Sequence, residues 1–228
     1  MTHRLLETID ENLENRHLLK HPFYKAWSDG KLSKEMLKAY GCQYYHFVRE
    51  FPRMVSAVHS NTPDIFLRQP LLLNLMDEEL GSENHPALWM RFAVSLGATH
   101  EEVENTVPLP STTELVDTMM RFCKQGTFQE GVASLYAYES QVPEISRVKI
   151  EGLKAFYGIA DKDAIRFFTV HQAADIHHAQ SERELIETKT TDNIAPAVER
   201  AATETADALW GFLDGVYENY VSSRGVVC

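Results

Sequence analysis

The run SKEMLKAYGCQYYHFVREFPRMVSAVHSN, residues 33–61, decides the fold class. Ser33 stands where an N-cap side chain accepts a free backbone N–H, and the helix it opens runs toward Asn61. Pro52 interrupts the run, but helical spacing resumes with Met54, Val55 and Val58, which predicts a kink rather than an end. Upstream, Leu5, Leu6, Ile9 and Leu13 form another apolar stripe at helical spacing. Downstream, Pro63, Pro70 and Pro86 punctuate shorter helices, and Val107 to Glu114 reads as a loop entering a helix, with Ser111 and Glu114 as a capping box. Thr127 to Tyr157 is predicted as one long helix carrying Pro143 and stopped by Gly158. Asp161 to Thr188 and Asn193 to about Tyr220 follow as two more. Strand signals are scarce, no 20–50-residue repeat is visible, and no low-complexity tract marks a boundary. The expected architecture is all-α: one domain over residues 1–228, seven or eight helices, two of them proline-kinked, and a loose tail over the last eight or so residues.

Composition narrows the class. The 228 residues are 44% hydrophobic and 24% charged, enough for one sizeable core. Thirty-three Asp and Glu against 22 Lys and Arg leave a net charge of −11, which argues against binding a nucleic-acid backbone. No apolar run approaches the roughly 20 residues that span a bilayer, and the acidic, amphipathic start is unlike a signal peptide. Cys42, Cys123 and Cys228 are odd in number and far apart, so neither a disulfide framework nor a CxxC metal knuckle is available. Cys228 is also in the wrong place for prenylation. A cytoplasmic globular protein is expected.

Three groups of ionisable residues carry chemistry. His171, Asp175 and His178 stand at i, i+4 and i+7, one stripe of a helix, and together offer the imidazole and carboxylate donors that suit iron, manganese or zinc. A hydrated polar helix face would look the same. In Asp77-Glu-Glu-Leu-Gly-Ser-Glu-Asn-His85, Glu78 and His85 are seven apart and co-align only if the helix is continuous, against which Gly81 and Pro86 speak. Glu139 is the lone charge of the apolar stretch Ala133 to Pro143, so it must be neutralised, hydrogen-bonded or bound to a cation. The three pieces supply three carboxylates and three imidazoles, a set that fits two divalent ions with open positions for dioxygen. Two ions would bring +4 against −3 and relieve the repulsion of crowded carboxylates. The paired Glu-x-x-His motifs of ferritin-like di-iron proteins are missing: Ser82, Phe168 and Asp175 stand three before His85, His171 and His178.

The run His21-Pro-Phe-Tyr-Lys-Ala-Trp-Ser-Asp-Gly-Lys-Leu32, with Ala39-Tyr-Gly-Cys-Gln-Tyr-Tyr45, resembles the TenA/PqqC families of heme-oxygenase-like fold. At Leu75-Met-Asp-Glu-Glu79, Tyr138-Glu-Ser-Gln-Val-Pro143 and His171 to His178 the chain looks like the CADD-like group, named for a chlamydial protein associating with death domains. The similarity covers nearly the whole chain and implies a di-metal oxidase making p-aminobenzoate, a folate precursor. It implies metal ligands at Glu78, His85, Glu139, His171, Asp175 and His178, holding Fe/Fe or Fe/Mn, with O₂ as co-substrate and an external reductant. It further implies that the product is cut from the enzyme's own Tyr24, with Lys149 as amino donor and Tyr40 as the second candidate ring. A homodimer is the expected assembly; no nucleic acid or membrane partner is expected, and nothing in the sequence identifies a patch for a death-domain partner.

Spacing alone leaves other readings open. Without the resemblance, Tyr24 is a packed aromatic and Lys149 a solvated amine, while Tyr40, Tyr44, Tyr45, Tyr136 and Tyr138 read as ordinary packing. On one continuous helix Lys149 would lie about 80° from the face of Glu139, at roughly 100° per residue. The rivals are a metal-free PqqC-like cofactor oxidase, a TenA-like thiaminase using Cys42 or Cys123, and a same-fold oxygenase acting on an external amino acid or fatty acid.

Overall fold

The computed structural model describes residues 2–222. Among them the helices are α1 (Thr2–Asn15), α2 (Pro22–Ser28), α3 (Lys34–Asn61), α4 (Ile65–Glu79), α5 (His85–Ser95), α6 (His100–Asn105), α7 (Pro110–Gln125), α8 (Phe128–Glu139), α9 (Val142–Phe156), α10 (Arg166–Lys189) and α11 (Ala195–Val216). A 3-10 turn (Leu18–Lys20) precedes α2, and a π-turn (Tyr217–Val221) follows α11. No strand occurs among the described residues, and no helix among them is long and apolar enough to cross a membrane. Most of the expected C-terminal tail, with Cys228, lies outside the described residues.

The all-α expectation holds, but among the described residues the α-helices number eleven rather than seven or eight. The first half divides more finely because Asn84 and Thr99 each cap a short helix with their own side chains. Ser33 caps α3 as read from the sequence, its Oγ accepting from Met36 N, and Pro52 lies inside that helix. Pro143 is a correction. It does not kink a continuous helix but sits in the first turn of α9, where its missing N–H costs nothing, and Ser140–Gln141 separates α9 from α8. Pro70, inside α4, is the second interior proline. The Ser111–Glu114 capping box is also absent. Instead, Gln43 of α3 reaches across, its Oε1 accepting from Leu109 N at 2.9 Å and Thr112 Oγ1 at 2.7 Å.

α11 packs on α7 and α8, α10 on α8 and α9, and α3 on α7, α4 and α5. Trp27, Trp89, Tyr40, Phe23, Phe47, Phe92, Phe168 and Phe212 are fully buried between them. α2 lies close on α9 because Gly152 leaves room: a Cβ there would come 2.6 Å from Trp27 Nε1. That approach seats Tyr24 over Lys149.

Candidate metal centre

Helix α10 presents His171, Asp175 and His178 inward on one stripe, and all three are buried. Glu78 ends α4, His85 begins α5 and Glu139 ends α8, so three helix termini converge on the middle of α10. Glu78 and His85 do not share a continuous helix. Gly81, with φ +78°, turns the chain between them, yet His85 Nδ1 comes within 2.7 Å of Glu78 Oε1. The six side chains divide into two groups of three. In each, Glu78–His85–His171 and Glu139–Asp175–His178, one ligand atom per residue lies within 4.8 Å of the others. The His85 and His171 rings are 4.1 Å apart between centroids.

Hydrogen bonds outside the groups orient the imidazoles. His171 Nδ1 donates to the Phe167 carbonyl at 2.6 Å, which leaves Nε2 as a free lone pair. His178 Nε2 donates to Asp77 at 3.0 Å, so its Nδ1 faces Asp175 at 3.6 Å and Glu139 at 3.7 Å. Asn74 Nδ2 donates to both oxygens of Glu139, at 3.0 and 3.2 Å. His85 Nδ1, both Asp175 oxygens and His178 Nδ1 are buried with no aligned hydrogen-bond partner among the described residues. Orphaned polar atoms are rare in folded proteins, and here they gather where cations would find N and O donors. The residues fit a pair of metal ions.

The electrostatics agree. Burial, with the Glu139 and Glu78 charges adding to it, pushes the Asp175 carboxyl up to about 8. Burial would lower His178, but Asp175 and Glu139 outweigh it and hold the imidazole up to about 11. Burial and the neighbouring His85 keep His171 well below the ordinary histidine range. A proton on His178 thus stands in the metal-free protein for part of the positive charge that a cation would bring.

Tyr24, Tyr40 and Lys149 are brought together beside this centre. Lys149 Nζ donates to Tyr40 Oη at 2.7 Å, and the Tyr40 and Tyr24 hydroxyls are 3.3 Å apart. The amine lies 5.2–5.4 Å from the ring centroids of Tyr24, Tyr40, Tyr44, Trp89 and Phe168. Lys149 is 4% exposed, and burial brings its pKa down to about 7. The 80° wheel angle does not apply, because α9 restarts after α8. Tyr44 and Tyr138, read from the sequence as packing residues, adjoin both groups. Tyr44 Oη donates to Tyr138 Oη at 2.9 Å, the Tyr44 ring stacks on Tyr40, and the charges of Asp175 and Glu78 reach both phenols.

The depressed lysine has a measurable consequence. Between about pH 7 and 10.5 the unfolded chain holds a proton on Lys149 that the folded chain lacks, so this residue makes stability rise with pH. Near full effect the slope is about 1.4 kcal/mol per pH unit. From pH 7.5 to 9.5, urea unfolding of the metal-free protein should gain about 2 kcal/mol relative to a Lys149→Met variant. A pH-independent difference would place a charged, compensated lysine there.

The cavity lined by Tyr24, Tyr44, Tyr138 and Lys149 has a volume of about 20 Å³, room for about one water. A larger opening of about 660 Å³, beside Cys42, Glu102 and Tyr220, is a surface crevice sharing none of the residues above. Burial raises the Cys42 thiol and pushes Cys123 to about 12, so neither is a ready thiolate. Sequence reasoning missed Asn74, Asp77 and Glu182. Glu182 is buried beside Glu139 on α10, and its place four residues after His178 extends the inward stripe.

Residues 38–210 match the family described as iron-containing redox enzyme. The chain is 47% identical to the 4-aminobenzoate synthase of Nitrosomonas europaea, over 97% of this chain and 94% of that one. It is 44% identical to the 4-aminobenzoate synthase of Chlamydia trachomatis, over 92% and 90% of the two chains. A TenA homolog from Pseudomonas syringae superposes with a TM-score of 0.82 at 19% identity, covering 95% of this chain and 92% of that one.

Proposed function

Because the chain belongs to the heme-oxygenase-like family of iron-containing redox enzymes, in the group of the 4-aminobenzoate synthases, we propose that it forms 4-aminobenzoate from its own Tyr24. Two cations, iron paired with iron or manganese, would be held by Glu78, His85 and His171 and by Glu139, Asp175 and His178. When bound, they supply oxidising power from O₂ with an external reductant. The observation that carries the self-consuming reading is the size of the cavity. Space of about 20 Å³ offers an external aromatic substrate no seat in this structure, whereas the Tyr24 ring already lies beside a buried amine, and this supports self-consumption.

The chain's own residues set up the reaction. Lys149, with its pKa near 7, carries a substantial fraction of free amine at neutral pH, and a lone pair is what a nitrogen donor needs. The Tyr40 hydroxyl accepts a hydrogen bond from Lys149 Nζ and lies next to the Tyr24 hydroxyl, so it orients the amine and can pass a proton between the two. Surrounding aromatic rings keep bulk water from the tyrosine, which is 3% exposed. The Tyr24 ring already carries a para carbon. The Lys149 nitrogen replaces the ring hydroxyl, which leaves as water, and the Lys149 Cε–Nζ bond breaks; cleaving the Tyr24 Cα–Cβ bond, with O₂ as the oxidant that takes Cβ to carboxylate, completes the product skeleton. A metal-free PqqC-like oxidase would leave the orphaned donors of the two groups unexplained.

Intact-mass spectrometry tests the reading. Protein supplied with Fe(II), Mn(II), O₂ and reductant should release at most one 4-aminobenzoate per chain, losing the ring at Tyr24 and the amine nitrogen at Lys149. Many products per unaltered chain would eliminate self-consumption.

A further inference from the structure

We propose that Glu182 is a seventh metal-ligating residue, adding a third carboxylate to the cation held by Glu139, Asp175 and His178. The proposal rests on the metal-centre reading above and assigns a residue outside its two groups of three. Glu182 follows His171, Asp175 and His178 at eleven, seven and four residues, on the same inward stripe of α10. It is 2% exposed, and the charges of Glu139 and Asp175 reach its carboxyl. Neither Glu182 oxygen has a hydrogen-bond partner among the described residues, and neither do the two Asp175 oxygens.

A structural role would require these four orphaned oxygens to be satisfied by protein groups. Asn74 spends its amide on Glu139, and His178 spends Nε2 on Asp77. One acid proton on Glu182 could bridge to Glu139, but Asp175 would be left with only His178 Nδ1, 3.6 Å away and not aligned as a hydrogen bond. A cation drawing on Glu139, Asp175 and Glu182 addresses all of them. The assignment also makes the two positions unlike. One has two imidazoles and one carboxylate; the other has one imidazole and three carboxylates. The oxygen-rich position suits a harder ion such as Mn(II), and the nitrogen-rich one suits iron.

Titration of the metal-free protein with Mn(II), followed by electron paramagnetic resonance and by anomalous diffraction from soaked crystals, tests this. A Glu182→Gln chain keeps the shape and a hydrogen-bond donor toward Glu139 but loses the charge. The expected result is occupancy at Glu78–His85–His171 with wild-type affinity, which also reports an intact fold. Affinity at Glu139–Asp175–His178 should fall at least tenfold. The metal-free variant should melt at or above the wild-type temperature, because an uncompensated buried carboxyl is gone, and its metal-induced rise should shrink. Equal affinity at the second position would overturn the assignment and leave Glu182 as a buried acid that glutamine replaces. Equal weakening at both positions would overturn it too, as general disruption. Failure of the wild-type chain to bind two ions would instead remove the metal-centre reading itself.

Discussion

A Tyr24→Phe chain, loaded with metal and given O₂ and reductant, is expected to release no detectable 4-aminobenzoate. It should also fail to rescue a bacterium lacking the ordinary genes for that compound. Phenylalanine keeps the ring and its packing against Phe23 and Trp27 but removes the oxygen that the amine would replace. The lost hydroxyl contact is a single one, to Tyr40 at 3.3 Å, so the stability cost is about 1 kcal/mol and cannot account for a complete loss. Tyr40→Phe separates the two tyrosines. It removes the hydroxyl that accepts from Lys149 and should slow product formation while the chain still loses mass at Tyr24. If Tyr24→Phe still yields product and Tyr40→Phe yields none, Tyr40 is the consumed ring.

Metal loading should stabilise the fold strongly, whatever the reaction. A ligand that binds only the folded chain at about 100 times its Kd adds roughly 2.7 kcal/mol, and two such ions about twice that. For a domain of this size each kcal/mol moves the melting temperature by roughly 2–4 °C, so the gain over chelator-treated protein should be on the order of 10–20 °C. The gain should grow as pH rises from 6.5 to 8. In the metal-free chain Asp175 and His178 hold protons more tightly than in the unfolded chain, being raised to about 8 and about 11. Stability from such raised groups is present at low pH and lost as pH climbs, whereas bound cations replace those protons. Differential scanning fluorimetry with and without Mn(II) across that range checks both parts, and a melting temperature indifferent to metal would speak against the centre. His171→Ala should remove about half of the gain, because it takes one of three donors from the Glu78–His85–His171 group and leaves the other group intact.

Much of the site was legible because its clues are local. The i, i+4, i+7 stripe of His171, Asp175 and His178 follows from helix geometry, and a lone carboxylate in an apolar run such as Glu139 demands a partner wherever it folds. Glu182 was equally readable as the next turn of that stripe, yet a glutamate among Ser181, Arg183 and Glu184 looks like ordinary helix surface. The helix count went astray where connections are short. The breaks after Leu80 and at Ser140–Gln141 span a few residues, and whether a helix bends or restarts there depends on what packs beside it.

The order of residues along the chain determined the helical class, the Ser33 cap and the course of α3 through Pro52, and through resemblance it pointed to six candidate ligand positions with Tyr24, Tyr40 and Lys149. Each of these rests on spacing within a turn or two, or on matched motifs. Tertiary structure alone decided the split of six donors into two groups, the shielding of Lys149 by five rings from four helices, and Gln43 closing the start of α7. It also decided that the cavity holds about one water. Those outcomes depend on side chains tens of residues apart filling shared space, and no short window of sequence carries that information.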